Sequence, residues 1–245
     1  MAVSTPSPTR EYKLWVLLVV VGTLIISNVV ANRVIPSWAY VPWNCTMALL
    51  ITVVALRMDH HSLDDLGMAR RKIPAGLRLG GAFSGILLAG YVVGVLLPWT
   101  RELFQDDRAD VGVAPLLQRI FIAVPLGTVL LEEVAFRGVL PAMFKGRLAN
   151  RARPHLIADM CSAVLFGLWH ILPSWNLNET NSSFAFLPDP LEQALVITGG
   201  VLGTAAVGMF FSWMRNRSDS LAAPILLHTT SNSAGYLFAW AVQNW

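Results

Sequence analysis

Charge is what this chain has least of. Only 13% of its 245 residues are Asp, Glu, Lys or Arg and 55% are hydrophobic, whereas soluble domains carry about 25% charged residues. That scarcity excludes an ordinary soluble domain, and a mean hydropathy of +0.55 agrees with a membrane protein. Cysteine is nearly absent. Cys45 and Cys161 lie far apart with no CxxC or Cys/His spacing, so a zinc knuckle or disulfide framework has no support. There is no HExxH, which removes the soluble-metalloprotease template. Repeats, low-complexity tracts and polar stretches long enough for a second domain are also missing, so residues 1–245 read as one integral membrane domain. The polar start, MAVSTPSPTREYK, enters a long apolar run without a small-residue cleavage site. Leu14 onward therefore reads as a first transmembrane helix rather than a removable signal. The net charge of +3 does not indicate nucleic acid, because the basic residues are dispersed among short loops.

What is present is a series of apolar runs. About 20 mostly apolar residues cross a hydrocarbon core, and seven segments approach that: Leu14–Asn32, Trp38–Leu56, Leu79–Thr100, Ile120–Phe144, Met160–Leu172, Gln193–Met214 and Leu221–Trp245. Pro42 is expected to shorten the regular part of the second, and Pro173 to close the fifth. An N-terminus inside the cell puts thirteen basic residues on the cytoplasmic side: Arg10 and Lys13, five between Arg57 and Arg78, four between Lys145 and Arg153, and Arg215 and Arg217. Four, Arg33, Arg101, Arg108 and Arg119, fall outside. This positive-inside bias fits an odd number of spans with the C-terminus outside. Trp38, Trp43, Trp99, Trp175 and Trp245 fall at outer ends, and Trp15 and Trp213 near the inner face, as an interfacial aromatic belt requires. Arginine outnumbers lysine fifteen to three, a codon bias of GC-rich bacteria, so a bacterial cytoplasmic membrane is the expected location. Asn178–Thr180 and Asn181–Ser183 are formal glycosylation acceptors, read here as parts of a polar outer loop.

Three of the runs carry polar side chains at depth, each as a pair four residues apart. In the fourth, FIAVPLGTVLLEEVAFRGVLPAMF, the only charges are Glu132, Glu133 and Arg137. An ionised group at mid-bilayer costs roughly 2.5–3.5 kcal/mol on insertion scales, so three within six positions require partners. Glu133 and Arg137 share a helix face and can neutralise one another, while Glu132 points about 100° away. One carboxylate can thus be structural while its neighbour faces a cavity. A buried Glu–Arg clamp between helices is the plainer alternative. The fifth run pairs Phe166 with His170, and a lone histidine on an apolar helix is usually a hydrogen-bonded core residue. The seventh pairs His228 with Asn232 after a start that Ser220 or Asp219 can cap. Together, one carboxylate and two imidazoles from three helices match a His₂Glu set that holds catalytic zinc. They match equally a metal-free general base with oxyanion donors. Counting residues from the cytoplasmic helix ends places His228 shallower than Glu132 and His170, so convergence needs a tilt or kink, for which Pro125 or Pro173 is available.

The three blocks, Glu132-Glu133-x-x-x-Arg137, Phe166-x-x-x-His170 and His228-x-x-x-Asn232, resemble the CPBP family of intramembrane proteases, the CAAX-protease and bacteriocin-processing group also called Abi. The neighbouring FRG, FGLWH and DSLAAPILLHTTSN agree, as does LDDLGMARR after the second run. The resemblance covers roughly residues 63–235. It implies an all-α bundle of seven or eight transmembrane helices around a polar cavity, often opening to the cytoplasm. It also implies endopeptidase action on a membrane-associated protein or peptide. On that basis Glu132 would activate water, and His170, His228 and Asn232 would bind metal or stabilise the oxyanion. Glu133 and Arg137 would hold the shape of the site. Glu132, His170 and His228 are the expected ligands of a divalent metal, zinc by their type. Prenyl-protein proteases often carry Asn four residues past the FxxxH histidine; here it is Ser174, so a prenylated substrate is not specified. Two other readings compete: a non-catalytic scaffold or immunity-type protein whose cluster is structural, and a small proton-coupled transporter. The lack of a repeated pair of interrupted spans counts against the transporter.

Overall fold

The computed structural model describes residues 13–175 and 189–244. The two glycosylation acceptors, Arg10 and Trp245 lie outside the described residues. Among the described residues, seven long helical segments follow in the expected order: α1 (Leu14–Arg33), α2 (Ser37–Arg57), α3 (Ile73–Leu96), α4 (Val113–Arg147), α5 (Pro154–Trp169), α6 (Asp189–Ser218) and α7 (Ala222–Asn244). Segments α1, α2, α3, α4 and α6 are long and apolar enough to cross a membrane. Helix α5 is too short for that by itself, and α7 is diluted by His228, Thr229, Thr230, Ser231, Asn232 and Ser233. Large apolar side chains such as Leu18, Ile26, Ile86, Val93 and Phe121 point outward and are more than half exposed. Such a surface belongs in lipid, and the chain is an integral membrane protein.

Local chemistry moves several ends from where hydropathy alone puts them. Helix α3 starts six residues before Leu79 because Pro74, in its first turn, loses only an amide that had no partner. It stops at Leu96 because Leu97 precedes Pro98 and is extended. Helix α2 runs through Pro42 without breaking, against the expectation of a shortened span. Helix α5 begins at Pro154 and ends at Trp169, so His170 is its C-terminal cap rather than an interior residue. Ser220 caps α7, its Oγ accepting the Ala222 N–H at 3.2 Å.

The central helix departs most from regular geometry. Within α4, residues Arg119–Val129 and Val134–Val139 wind as wide π-helical turns on either side of the two glutamates. Leu130 N–H reaches the carbonyl of Pro125, and Leu140 N–H that of Ala135, five residues back instead of four. Wide turns of this kind are common at functional sites, and they leave carbonyls poorly served within the helix. Neighbouring helices supply the missing donors, as a non-aqueous environment demands. Asn44 Nδ2 on α2 donates to Gly127 O at 2.6 Å, Ser162 Oγ on α5 to Phe136 O at 2.6 Å, and Ser233 Oγ on α7 to Ile120 O at 2.8 Å.

Outside α4, close contacts rely on small residues. Helix α3 lies along α7 through Gly76 and Gly80, and α5 lies along α6 through Gly167. A Cβ at Gly167 would come within 2.5 Å of the Val201 carbonyl, whereas one at Gly203 on α6 meets nothing within 4 Å. Gly167→Ala is therefore expected to destabilise the protein by about 1–3 kcal/mol. Gly203→Ala is expected to be neutral or stabilising, by up to about 1 kcal/mol. Melting curves of the two variants in one detergent check the contrast.

Candidate active site

The site lies where α4, α5 and α7 meet. Glu133 is fully buried, and its Oε1 accepts the Nδ1–H of His228 at 2.7 Å. Arg137, one turn on, brings its guanidinium to 3.2 Å from the same oxygen. The contact is an ion pair without hydrogen-bond alignment. Arg137 also lies over the ring of Phe166, 3.9 Å from its centroid, and 5.1 Å from that of Phe211. The face shared by Glu133 and Arg137 is thus the buried, structural one, as the four-residue spacing implies.

Glu132 turns the other way. Trp169 Nε1 donates to its Oε1 at 3.0 Å. Its Oε2 stands 3.7 Å from His228 Nε2, beyond hydrogen-bond range, and has no hydrogen-bond partner among the described residues. Glu132 lines a hollow of about 440 Å³ together with Tyr40, Trp169, His170 and Asn232. A second hollow of about 530 Å³ is bordered by His228 and again by His170 and Asn232. His170 turns its Nδ1 back to the carbonyl of Phe166 at 2.8 Å, which leaves Nε2 as the nitrogen free to act. The depth mismatch counted from the sequence is absorbed, since His228 reaches both glutamates. The wide turns of α4 alter the rise and angle of the glutamates in a way that a count at 1.5 Å per residue misses.

Three expected donors for metal are present, but they are not gathered. Among the described residues no group of three or more His, Cys, Asp or Glu side chains is placed to hold an ion. His228 and His170 each turn Nδ1 to an oxygen, Glu133 Oε1 and Phe166 O, which leaves both Nε2 atoms available as in ligating histidines; what is missing is their convergence with Glu132 on one point. As they stand, the donors do not fit a zinc site.

Several contributors escaped the sequence reading. Trp169 sits inside FGLWH, and its adjacency to His170 is the only local hint that its indole anchors a carboxylate. Asn28, on α1, fixes that turn by donating to Trp169 O at 2.9 Å. Tyr40 packs against α4 where Gly127 leaves room, and bonds Thr128 Oγ1 at 3.2 Å. Arg108, Arg119 and Tyr236 enter the lining of the hollow that holds Glu132, although the arginines read as ordinary outer-loop charges.

Residues 114–234 match the family model described as "Rce1-like: Type II CAAX prenyl endopeptidase Rce1-like". The matched stretch contains all three motif pairs and every site residue named from the sequence, and the family resemblance carried by those pairs stands. LDDLGMARR lies before it. No curated protein and no solved structure is significantly similar to the chain.

Proposed function

We propose that this chain, which over residues 114–234 belongs to the Rce1-like type II CAAX prenyl endopeptidase family, is a membrane-embedded endopeptidase acting on membrane-associated proteins or peptides. The observation that supports this most is the placement of Glu132. One carboxylate oxygen is held by Trp169, and the other is buried, unpartnered and in a hollow shared with His170 and Asn232.

Those positions suit hydrolysis by a general base. Glu132 Oε2 takes a proton from a water molecule as its oxygen bonds to the substrate carbonyl carbon. The carbonyl oxygen becomes an oxyanion, and Asn232 Nδ2, with His170 where its Nε2 is protonated, can donate to it. Collapse breaks the C–N bond, and Glu132 returns the proton to the leaving nitrogen. Glu133 acts through His228: by accepting from Nδ1 it fixes the ring and aims Nε2 towards Glu132, as outer carboxylates orient reacting histidines. Arg137 supplies the counter-charge beside Glu133 and holds it in place. None of these steps is routed through metal.

Sidedness follows from the charges. With the thirteen basic residues inside, the N-terminus is cytoplasmic and the C-terminus outside. The hollow is lined by the outer halves of its helices: Asn32, Tyr40, Arg119, Pro173 and Tyr236. Towards the basic end, Phe136, Val139, Leu140, Met143 and Phe166 close it as packed core. Entry is then from the outer face, opposite to what the resemblance implies.

The test is a cleavage assay in proteoliposomes on tagged single-span peptides, one set prenylated at a CAAX end and one unmodified. Release of a short tagged fragment from either set, surviving prolonged chelation in protein whose metal content is measured, is the expected result. Folded protein that cuts neither set would overturn the reading. Loss on chelation with recovery in zinc would show that His170 and His228 close on an ion after all.

A further inference from the structure

The last turn of α5 is held by a residue on the first helix. Within a helix the carbonyl of Trp169 would accept from the amide four residues on, but that residue is Pro173, which has no N–H. The backbone there keeps helical spacing, since Ser174 N–H reaches His170 O at 3.0 Å. One carbonyl is therefore left over at the helix end, and an unpaired carbonyl is costly within a membrane. Asn28 of α1 takes it up, its Nδ2 donating to Trp169 O at 2.9 Å. Asn32, one turn further along α1, donates to Asn28 Oδ1 at 2.7 Å and to its carbonyl at 2.8 Å. Those bonds fix the Asn28 amide with its nitrogen towards α5. Beside it, Ser27 Oγ accepts Trp43 Nε1 of α2 at 3.0 Å, and Asn44, next along α2, serves the wide turn of α4. The buried pair Ser27 and Asn28 ends the apolar face that Val16, Leu17, Val20 and Leu24 turn to the bundle.

We propose that Asn28 is a positioning residue for Glu132: by supplying the donor that Pro173 lacks, it sets the turn that keeps the Trp169 indole on Glu132 Oε1. The proposal rests on the endopeptidase reading for the reaction but not for the coupling between these residues. The indole N–H reaches Oε1 at 3.0 Å, and the ring packs edge-on against Phe136 with centroids 5.6 Å apart. Trp169 is thus held in one orientation and passes it to the carboxylate, which leaves Oε2 as the oxygen without a partner. His170 follows Trp169 directly, and its Nδ1 contact with Phe166 O at 2.8 Å spans the same turn. Asn28 belongs to α1, outside residues 114–234, so the base depends on a helix beyond the matched stretch. A hydrogen bond to a charged group is among the stronger kind, and its loss is expected to lower kcat about ten-fold or more.

The test is a double-substitution cycle between Asn28→Leu and Pro173→Ala on the full-length protein. The first removes the donor and keeps the volume; the second gives Trp169 O an N–H from its own helix. Two quantities are read: kcat and KM on the tagged peptides, and the indole N–H resonance of Trp169 in a nitrogen–proton NMR spectrum, assigned by its loss in Trp169→Phe. Asn28→Leu is expected to lower kcat about ten-fold or more with KM little changed, and to move the indole signal upfield, towards that of an unbonded N–H. In the Pro173→Ala background the same substitution costs little rate and leaves the signal in place. In the Trp169→Phe background, which has no indole to position, it costs little further rate. An unmoved signal in Asn28→Leu overturns the proposal, as does an undiminished loss in either background. If Asn28→Leu does not insert, Asn28→Ala takes its place in the cycle. A signal that moves, and is restored by Pro173→Ala, in a protein that cleaves nothing would leave the coupling standing and remove the endopeptidase. Cleavage with an unmoved signal would do the reverse.

Discussion

Replacing Glu132 by Gln is expected to lower kcat/KM by about 10²–10⁴-fold, the range a positioned base contributes, with folding and insertion intact. The substitution preserves shape, and Trp169 Nε1 can still donate to the amide oxygen where it now meets Glu132 Oε1 at 3.0 Å. The amide nitrogen takes the place of Oε2, 3.7 Å from His228 Nε2, and cannot accept a proton from water. Burying a neutral amide at a site only 5% exposed costs less than burying an ionised carboxylate, so melting is not expected to fall. Activity on a tagged peptide and a melting curve from the same preparation decide the matter. Cleavage at the wild-type rate would remove Glu132 from the chemistry. Glu133→Gln separates the roles of the two neighbours: it leaves the hollow untouched but strips Arg137 of its counter-charge, so melting falls with it.

The division between the two glutamates was legible from spacing alone. Residues four apart on a helix must share a face, so Glu133 with Arg137, Phe166 with His170, and His228 with Asn232 could be paired before any coordinates. The order of helices was readable for a similar reason, because uninterrupted apolar runs have few alternatives once lipid is the solvent. What a linear pattern cannot carry is the winding of α4. Residues 119–129 and 134–139 close wide turns, and nothing in FIAVPLGTV or VAFRGV except Pro125 signals it. These turns depend on Asn44, Ser162 and Ser233, donors from three other helices. Trp169 and Tyr236 stayed hidden for a related reason. An aromatic in an apolar run reads as core or interface, and only the fold shows that one indole holds Glu132 and one phenol ring carries two guanidinia. For the metal set only the residue types were legible: coordination needs convergence within about 2 Å of one point, which helix spacing does not determine.

The largest loss of stability is expected from Arg137→Ala. Arg137 is 1% exposed and Glu133 0%, so truncating the arginine leaves an ionised carboxylate in apolar surroundings with only His228 Nδ1 beside it at 2.7 Å. Breaking a buried pair by removing one partner costs about 3–5 kcal/mol. The variant also empties the space over Phe166 and beside Phe211 that the guanidinium fills at 3.9 and 5.1 Å. A fall in melting temperature on the order of 10 °C is expected. Arg137→Lys should recover little, because an ammonium neither lies flat on a ring nor spreads its charge. The discriminating variant is the double substitution Glu133→Gln with Arg137→Met, which removes both charges and keeps the volume. If the single loss comes from an orphaned charge, the double variant melts well above Arg137→Ala. It still cleaves poorly, because His228 has lost the anion that orients it. If the double variant is instead as unstable as Arg137→Ala, packing around the guanidinium, and not its charge, is what holds α4, α5 and α6 together.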